Sequence, residues 1–356
     1  MVTALLAPPT YTVDPWDPGY GVAADLEGRE SGATLDLSVE LPASSWRAVS
    51  ADRGAALPSA VLFLDGVRRI DARVWVHGAA PQPVPAVAAS LAAGLVRCDG
   101  TARIADVRID RSLYTTATPA PDLATRHATY AVRAVPAVRR SSARPQPGVG
   151  ATPHPAVPGA NAVSDGAPEA DAEPAGADVL SLAVQRRLAE LEVDLATTHQ
   201  SGASPDTLLV IDGPLRAHAT HLTRAVGYVK THHAAYLPPA QALVVAGMAA
   251  GQRSPVFAMS TSWRRHSWYL RLPGAPAAAP WSGIVRLECS ADLPTPDAVA
   301  LADLTARLLP PLASTPHKDS RAPQNLVPIG GLERHLRHRL GDAALLYRSL
   351  RAAAHT

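Results

Sequence analysis

Two aspartates stand where a chain could do metal chemistry. Asp65 ends the apolar run Ala60-Val61-Leu62-Phe63-Leu64 and is followed by Gly66. Asp212 ends Leu208-Leu209-Val210-Ile211 and is followed by Gly213-Pro214-Leu215. An all-apolar run bounded by turn residues reads as a strand buried on both faces, so each strand delivers a carboxylate at its C-terminal end. Asp-Gly is also one of the commonest turn dipeptides, and taken singly each copy reads as a turn. As a pair they supply what a hard divalent cation takes, oxygen ligands on rigid elements. Hydrolysis of a phosphodiester needs an activated water, a cation beside the phosphate and stabilisation of the leaving oxygen, and two divalent ions about 4 Å apart meet all three needs.

A third carboxylate belongs to a helix. Val184, Leu188, Leu191 and Leu195 recur at helical spacing, and Asp178 is placed to cap the start. At 100° per residue Glu192 borders this stripe and Glu190 falls on the solvated face. Lys230 is a candidate to hold a phosphate as a point charge, beside the alternative of an ordinary surface lysine. His218, His221, His232 and His233 crowd the same stretch but match no zinc-ligand spacing. Arg271 and Arg286 sit on expected strands, positioned either for a DNA backbone or to pair with Glu288.

The elements that must position these residues follow from hydrophobic period. Residues 35–41 alternate as a half-buried strand, and 60–65 form the first core strand with 69–76 as its hairpin partner across Gly66-Val67. Residues 86–97 read as strand or short helix, weakened by Gly94. Residues 102–113 and 130–135 read as further strands of antiparallel style. Strands are expected again at 208–212, 268–272 and 284–288, and helices at 240–250, 297–309, 331–340 and 342–354. The last two helices carry Arg334, His335, Arg337, His338 and Arg339, a basic face that is either solvated or phosphate-binding.

Between these lies 136–178, rich in Pro, Ala, Gly, Ser and acids and without apolar periodicity. Its composition predicts a disordered Pro/Ala-rich insertion, and the first site of proteolysis. The division expected is an N-terminal arm and strand over 1–54 and one domain over 55–350, interrupted by that insertion. The chain has 356 residues, 47% hydrophobic and 4% aromatic, so Val, Leu and Ala must build the core. A net charge of +2 confines any nucleic-acid contact to a local basic patch. Cys98 and Cys289 form no disulfide framework, which suits a reducing cytoplasm. No run of about 18 apolar residues predicts a membrane span, and residues 1–9 lack the basic start of a signal peptide.

In this order the motifs resemble the NurA nuclease family, prokaryotic DNA-end-processing enzymes that work with a HerA-type hexameric helicase. The resemblance rests on Phe63-Leu64-Asp65-Gly66, the helix with Glu192, Val210-Ile211-Asp212-Gly213-Pro214-Leu215, Val226-Gly227-Tyr228-Val229-Lys230, Trp268-Tyr269-Leu270-Arg271-Leu272 and Val285-Arg286-Leu287-Glu288. It covers about residues 55 to 350. It implies an RNase H-like α/β core with a mixed sheet flanked by helices, a homodimer, and DNA hydrolysis dependent on two Mn2+ ions, or Mg2+ in their place. Asp65, Glu192 and Asp212 match the family's metal-holding carboxylates, and Lys230 joins them as a catalytic residue. Arg264, Arg265 and Arg271, with Gln324 and Asn325, are the residues expected at DNA. The family's histidine after the final strands has no counterpart in 321–329; either Gln324 or Asn325 stands in, or the site is altered. The rival readings are a non-catalytic NurA-like protein that binds DNA or docks a helicase, and an interaction scaffold in which both Asp-Gly pairs are merely turns.

Overall fold

The computed structural model describes residues 31–51, 54, 56–136, 176–215, 221–222, 224–232, 234–274 and 281–354. Most of the N-terminal arm, residues 137–175 of the expected insertion, His218 and His233 lie outside the described residues. In chain order the described elements begin with β1 (Thr34–Asp36), β2 (Val49–Ser50), β3 (Val61–Val76), β4 (Val84–Cys98) and β5 (Ala102–Thr115). Then come β6 (Leu123–Ala124), β7 (Thr129–Ala134), α1 (Gly176–Ser201), β8 (Leu208–Asp212) and β9 (Ala225–Val229). The chain continues through α2 (Pro239–Ala246), β10 (Gln252–Arg253), β11 (Phe257–Ser260), β12 (Arg264–Arg271) and β13 (Ile284–Ser290). It closes with α3 (Thr295–Leu308), α4 (Val327–Arg339) and α5 (Ala343–Ala353). The fold is α/β, with mixed β-sheet flanked by helices.

The chain forms two compact units, each assembled from separated segments. Of the described residues, those within 31–59 and 210–330 form the first, and those within 60–136, 176–209 and 331–354 the second.

In the first unit the strand order is β1-β11-β12-β13-β9-β8, and β10 pairs with both β12 and β2. β13 runs antiparallel to both β12 and β9, so it is a central strand, and all seven of its residues are buried. Apolar packing on this sheet gathers Trp46, Phe257, Met259 and Tyr269, with the Phe257 and Tyr269 rings stacked 6.0 Å apart. The strand expected over 35–41 is shorter. After Asp36 the chain turns, because the Asp36 carboxylate accepts the Ser38 amide at 2.9 Å, a local bond that competes with a ladder.

In the second unit the order is β3-β4-β5-β7-β6. β3 is a single strand of 16 residues, not the hairpin expected across Gly66-Val67. Its register with β4 runs unbroken through Asp65↔Gly94 and Gly66↔Ala93 and shifts only between Ile70 and Ala72. Asp71 is the extra residue at this bulge, and its carboxylate is satisfied by Arg69 Nε at 2.7 Å, Ser90 Oγ at 2.5 Å and Tyr130 Oη at 2.9 Å. β4 settles the strand-or-helix ambiguity at 86–97 as strand. β7 lies parallel to β5, which corrects the expectation of antiparallel pairing there. The short β6 turns back onto β7 as its antiparallel partner.

α1 packs against β3, β4 and β5. Gly176 starts this helix, so Asp178 lies in its first turn rather than at the cap, where its charge still meets the positive end of the helix dipole. Side chains alternate across a strand, and β3 shows it: Gly66 faces Leu188 and Glu192 of α1, while Gly94, directly opposite Asp65, faces Leu332 and Leu336 of α4. Helices thus cover both faces of this sheet.

Candidate functional site

The second unit places two of the expected carboxylates around one glycine. Asp65 and Glu192 are each only 8% exposed. Asp65 belongs to the α4-facing side by strand alternation, but its carboxylate bends along the strand and accepts the Gly66 amide at 2.7 Å. Glu192 arrives from α1 on the other face and rests on the Gly66 backbone. A β-carbon at residue 66 would overlap Glu192 Oε1 and stand 2.9 Å from Leu188 Cδ1. Gly66 is therefore not a turn residue. Its missing side chain is the space the Glu192 carboxylate occupies. Glu190 turns outward, its side chain 61% exposed and paired with Arg187 at 3.1 Å.

The first unit holds Asp212 and Lys230. Asp212 is the last residue of β8, and Gly213 turns the chain with φ of +104°, a conformation that favours glycine. The turn is fixed from three sides. The Gly213 amide donates to Tyr228 O at 2.9 Å. Gly227 on β9 has no side chain because the Gly213 carbonyl and Leu215 amide pass over it. The Leu215 amide donates to Glu288 Oε1 at 2.7 Å. Glu288 is wholly buried and is held in turn by Arg286 Nη1 at 2.6 Å and Arg265 Nε at 3.0 Å.

Lys230 follows the end of β9, and its Nζ donates to Asp212 Oδ2 at 2.6 Å and to Asn325 Oδ1 at 3.1 Å. Asn325 Nδ2 donates to Asp319 Oδ2 at 2.6 Å. The neighbouring backbone is tied down by Tyr228, whose hydroxyl donates to Gln324 O at 2.6 Å; burial, then the Asp212 charge, raise that hydroxyl's pKa well above its ordinary value. Asp212 Oδ1 is buried and makes no hydrogen bond.

The residues expected at DNA are placed unevenly. Arg264 is exposed. Arg265 is 1% exposed and is instead spent on Glu288, with its guanidinium 5.0 Å from the Trp263 ring. Arg271 is half-buried and donates to the carbonyls of Ser282 at 2.8 Å and Ala246 at 2.7 Å. Gln324 is 1% exposed and Asn325 fully buried, so neither side chain stands on a surface. Arg286 takes the pairing alternative with Glu288. His232 is buried against Ile284 O at 3.0 Å, a core histidine rather than a ligand.

The roles of three residues here are not read from the sequence. Gly66 reads as a turn beside Asp65. Glu288 reads only as a pairing alternative for Arg271 and Arg286, and nothing in the sequence signals its hold on the Leu215 amide. Asp319 lies in an unpatterned loop, and nothing in its spacing from Lys230 signals their connection.

In the second unit Asp65 and Glu192, and separately in the first Asp212, offer the carboxylate oxygens that hard divalent cations take, and Asp212 Oδ1 is a buried acceptor with no donor. Among the described residues no group of three or more His, Cys, Asp or Glu side chains is gathered to hold a metal ion. No protein-family model matches the chain, and no curated protein matches it. Among the described residues no helix is long and apolar enough to cross a membrane.

Proposed function

We propose that this chain is a metal-dependent DNA nuclease of NurA type, with an RNase H-like core. The observation that carries the reading is that two buried carboxylates flank the Gly66 backbone, Asp65 from the strand itself and Glu192 from the helix on the other face, where the missing side chain of Gly66 leaves it room. Burying an acid at 8% exposure is costly unless a cation or hydrogen-bond donors offset it, and a divalent ion is one cation that does so. On this reading Asp65 and Glu192 in the second unit and Asp212 in the first are the residues that would hold Mn2+ or Mg2+. Such ions lower the pKa of bound water and offset charge on a phosphodiester.

The chain's own residues do the rest. Lys230 offers an ammonium donor to a phosphate oxygen, a contact that positions the backbone without reading sequence. Arg264, exposed at the start of β12, adds charge toward the same backbone. The Glu288-anchored turn holds Asp212 in one orientation. In the cell the reading places the protein in the cytoplasm as a homodimer, resecting DNA ends with a HerA-type helicase.

A second reading, a non-catalytic NurA-like protein that binds DNA or docks a helicase, is favoured by two observations. Lys230 already sits 2.6 Å from Asp212 as its cation, and residues 321–329 contain no histidine. A nuclease assay on single- and double-stranded DNA with Mn2+ and with Mg2+ separates the two. Hydrolysis should be abolished by Asp65→Asn and by Asp212→Asn, each nearly isosteric but uncharged. Glu192→Gln should be severe and Glu190→Gln mild. DNA affinity without metal should survive all four, since removing an acid near a phosphate relieves repulsion. A pure wild-type protein inert with both metals, alone and with its helicase, decides for the second reading.

A further inference from the structure

The Asp212–Lys230 pair does not end at Lys230. Lys230 Nζ reaches Asn325 Oδ1, and Asn325 Nδ2 reaches Asp319 Oδ2 at 2.6 Å, all within the first unit. Asn325 is fully buried, and the side chains of Lys230, Asp212 and Asp319 are only 11%, 13% and 12% exposed. An asparagine amide is two-faced: its oxygen accepts and its nitrogen donates. Turned one way it accepts from an ammonium, and turned the other way it points N–H at N–H. An ionised carboxylate only accepts, so Asp319 fixes the Asn325 nitrogen toward itself and leaves the oxygen for Lys230. Asp319 is in turn fixed by the Arg321 amide, which donates to its Oδ1 at 2.8 Å. The Asn325 backbone is held at both ends, its amide by Arg321 O and its carbonyl by Ser314 N, each at 2.9 Å.

We propose that Asp319 is a positioning residue for Lys230, acting through the Asn325 amide, and that the ammonium so aimed takes a phosphate oxygen of a polynucleotide. Lys230 has three N–H donors, of which Asp212 and Asn325 engage two. Fixing two of the three directions of a tetrahedral ammonium fixes the third. A lysine on a flexible stem otherwise loses rotamer entropy on meeting its ligand, and the relay removes that cost in advance. The proposal rests on the nuclease reading for the identity of its ligand, but the orientation of Lys230 is measurable without turnover.

The variant is Asp319→Ser in the full chain. Its hydroxyl still caps the Arg321 amide two residues on, preserving the loop, but is too short to reach Asn325. Asp319→Asn is the isosteric second variant: with its one oxygen held by the Arg321 amide, it turns N–H toward Asn325 Nδ2 and removes the acceptor there. The first readout is the rate of acetylation of Lys230 at pH 8, followed by mass spectrometry. The second is metal-free affinity for a double-stranded oligonucleotide across a salt series. Asp319→Ser should speed Lys230 labelling about threefold or more and weaken DNA binding severalfold. Its slope of log affinity on log salt should fall by about 1, the loss of one phosphate contact. Asp319→Asn should shift both readouts in the same direction. Unchanged labelling in Asp319→Ser overturns the relay. Faster labelling with unchanged DNA affinity and salt slope overturns the phosphate role. If both readouts shift as expected while the wild type hydrolyses no DNA with either metal, the proposal stands and the nuclease reading falls.

Discussion

At the scale of single residues, the two Asp-Gly dipeptides do different work. Gly213 provides a positive φ and nothing stands within 4 Å of where its β-carbon would be. Gly66 lies in regular strand and provides clearance. Alanine at these two positions should therefore behave differently. Gly66→Ala should cost about 1–3 kcal/mol of stability, as overpacking does, and should reduce Mn2+-dependent hydrolysis at least tenfold by displacing Glu192. Gly213→Ala should cost about 1 kcal/mol in backbone strain. Urea denaturation and the nuclease assay on both variants check this; equal activity in the two would remove the role assigned to Gly66. The helical phase of Glu192 was legible, because four apolar residues at regular spacing orient the whole helix. The purpose of Gly66 was not, since Asp-Gly means a turn in isolation and only the arrival of α1 over β3 gives it another meaning.

At the scale of elements, α1 is bound to the sheet by Asp110 of β5. This carboxylate accepts from Arg187 of α1 at 2.9 Å, from Arg133 of β7 at 2.7 Å and from the Ser112 hydroxyl. Burial pushes its pKa up, and the Ser112 hydroxyl with the Arg187 and Arg133 guanidiniums outweighs that, leaving it below the ordinary value. A folded-state pKa below the unfolded value of about 3.9 gives stability that is complete above that value and is lost as pH falls through the folded one. Asp110→Asn should cost about 1–2 kcal/mol at pH 7, discounted for the partly exposed Arg133, and the gap from wild type should narrow by pH 3. Urea midpoints at the two pH values measure it. Strand existence was legible from apolar period for β1, β3, β5, β7, β8, β12 and β13, and not for the short β2, β6, β10 and β11 or for β9. Continuity was not: Gly66 reads as an interruption of β3, yet it is spanned by an intact ladder, while the bulge at Asp71 falls inside a stretch read as regular strand.

At the scale of the whole chain, the two-unit division was not legible at two of its boundaries, between residues 209 and 210 and between 330 and 331, which fall inside β8 and α4 where no linker composition marks them. The second unit is completed by its last segment. Leu350 of α5 is 2% exposed and packs in one cluster with Ala86, Ala88, Leu113 and Tyr130. Leu350→Ala should destabilise by about 2–4 kcal/mol, with loss of hydrogen-exchange protection centred on β4 and β5. Protection that survives intact on those strands would show α5 to be dispensable to the core it appends. This architecture has a consequence during synthesis. A ribosome adding about 5–20 residues each second emits β3, β4 and β5 early, then spends on the order of 10–50 s before the codons for α4 and α5 have all been read. Throughout that interval the face of β4 that meets Leu332 and Leu336 at Gly94 is without its cover. The nascent chain thus carries a long apolar sheet surface for much of its own translation, and its yield in a cell depends on what shields that surface until the message ends.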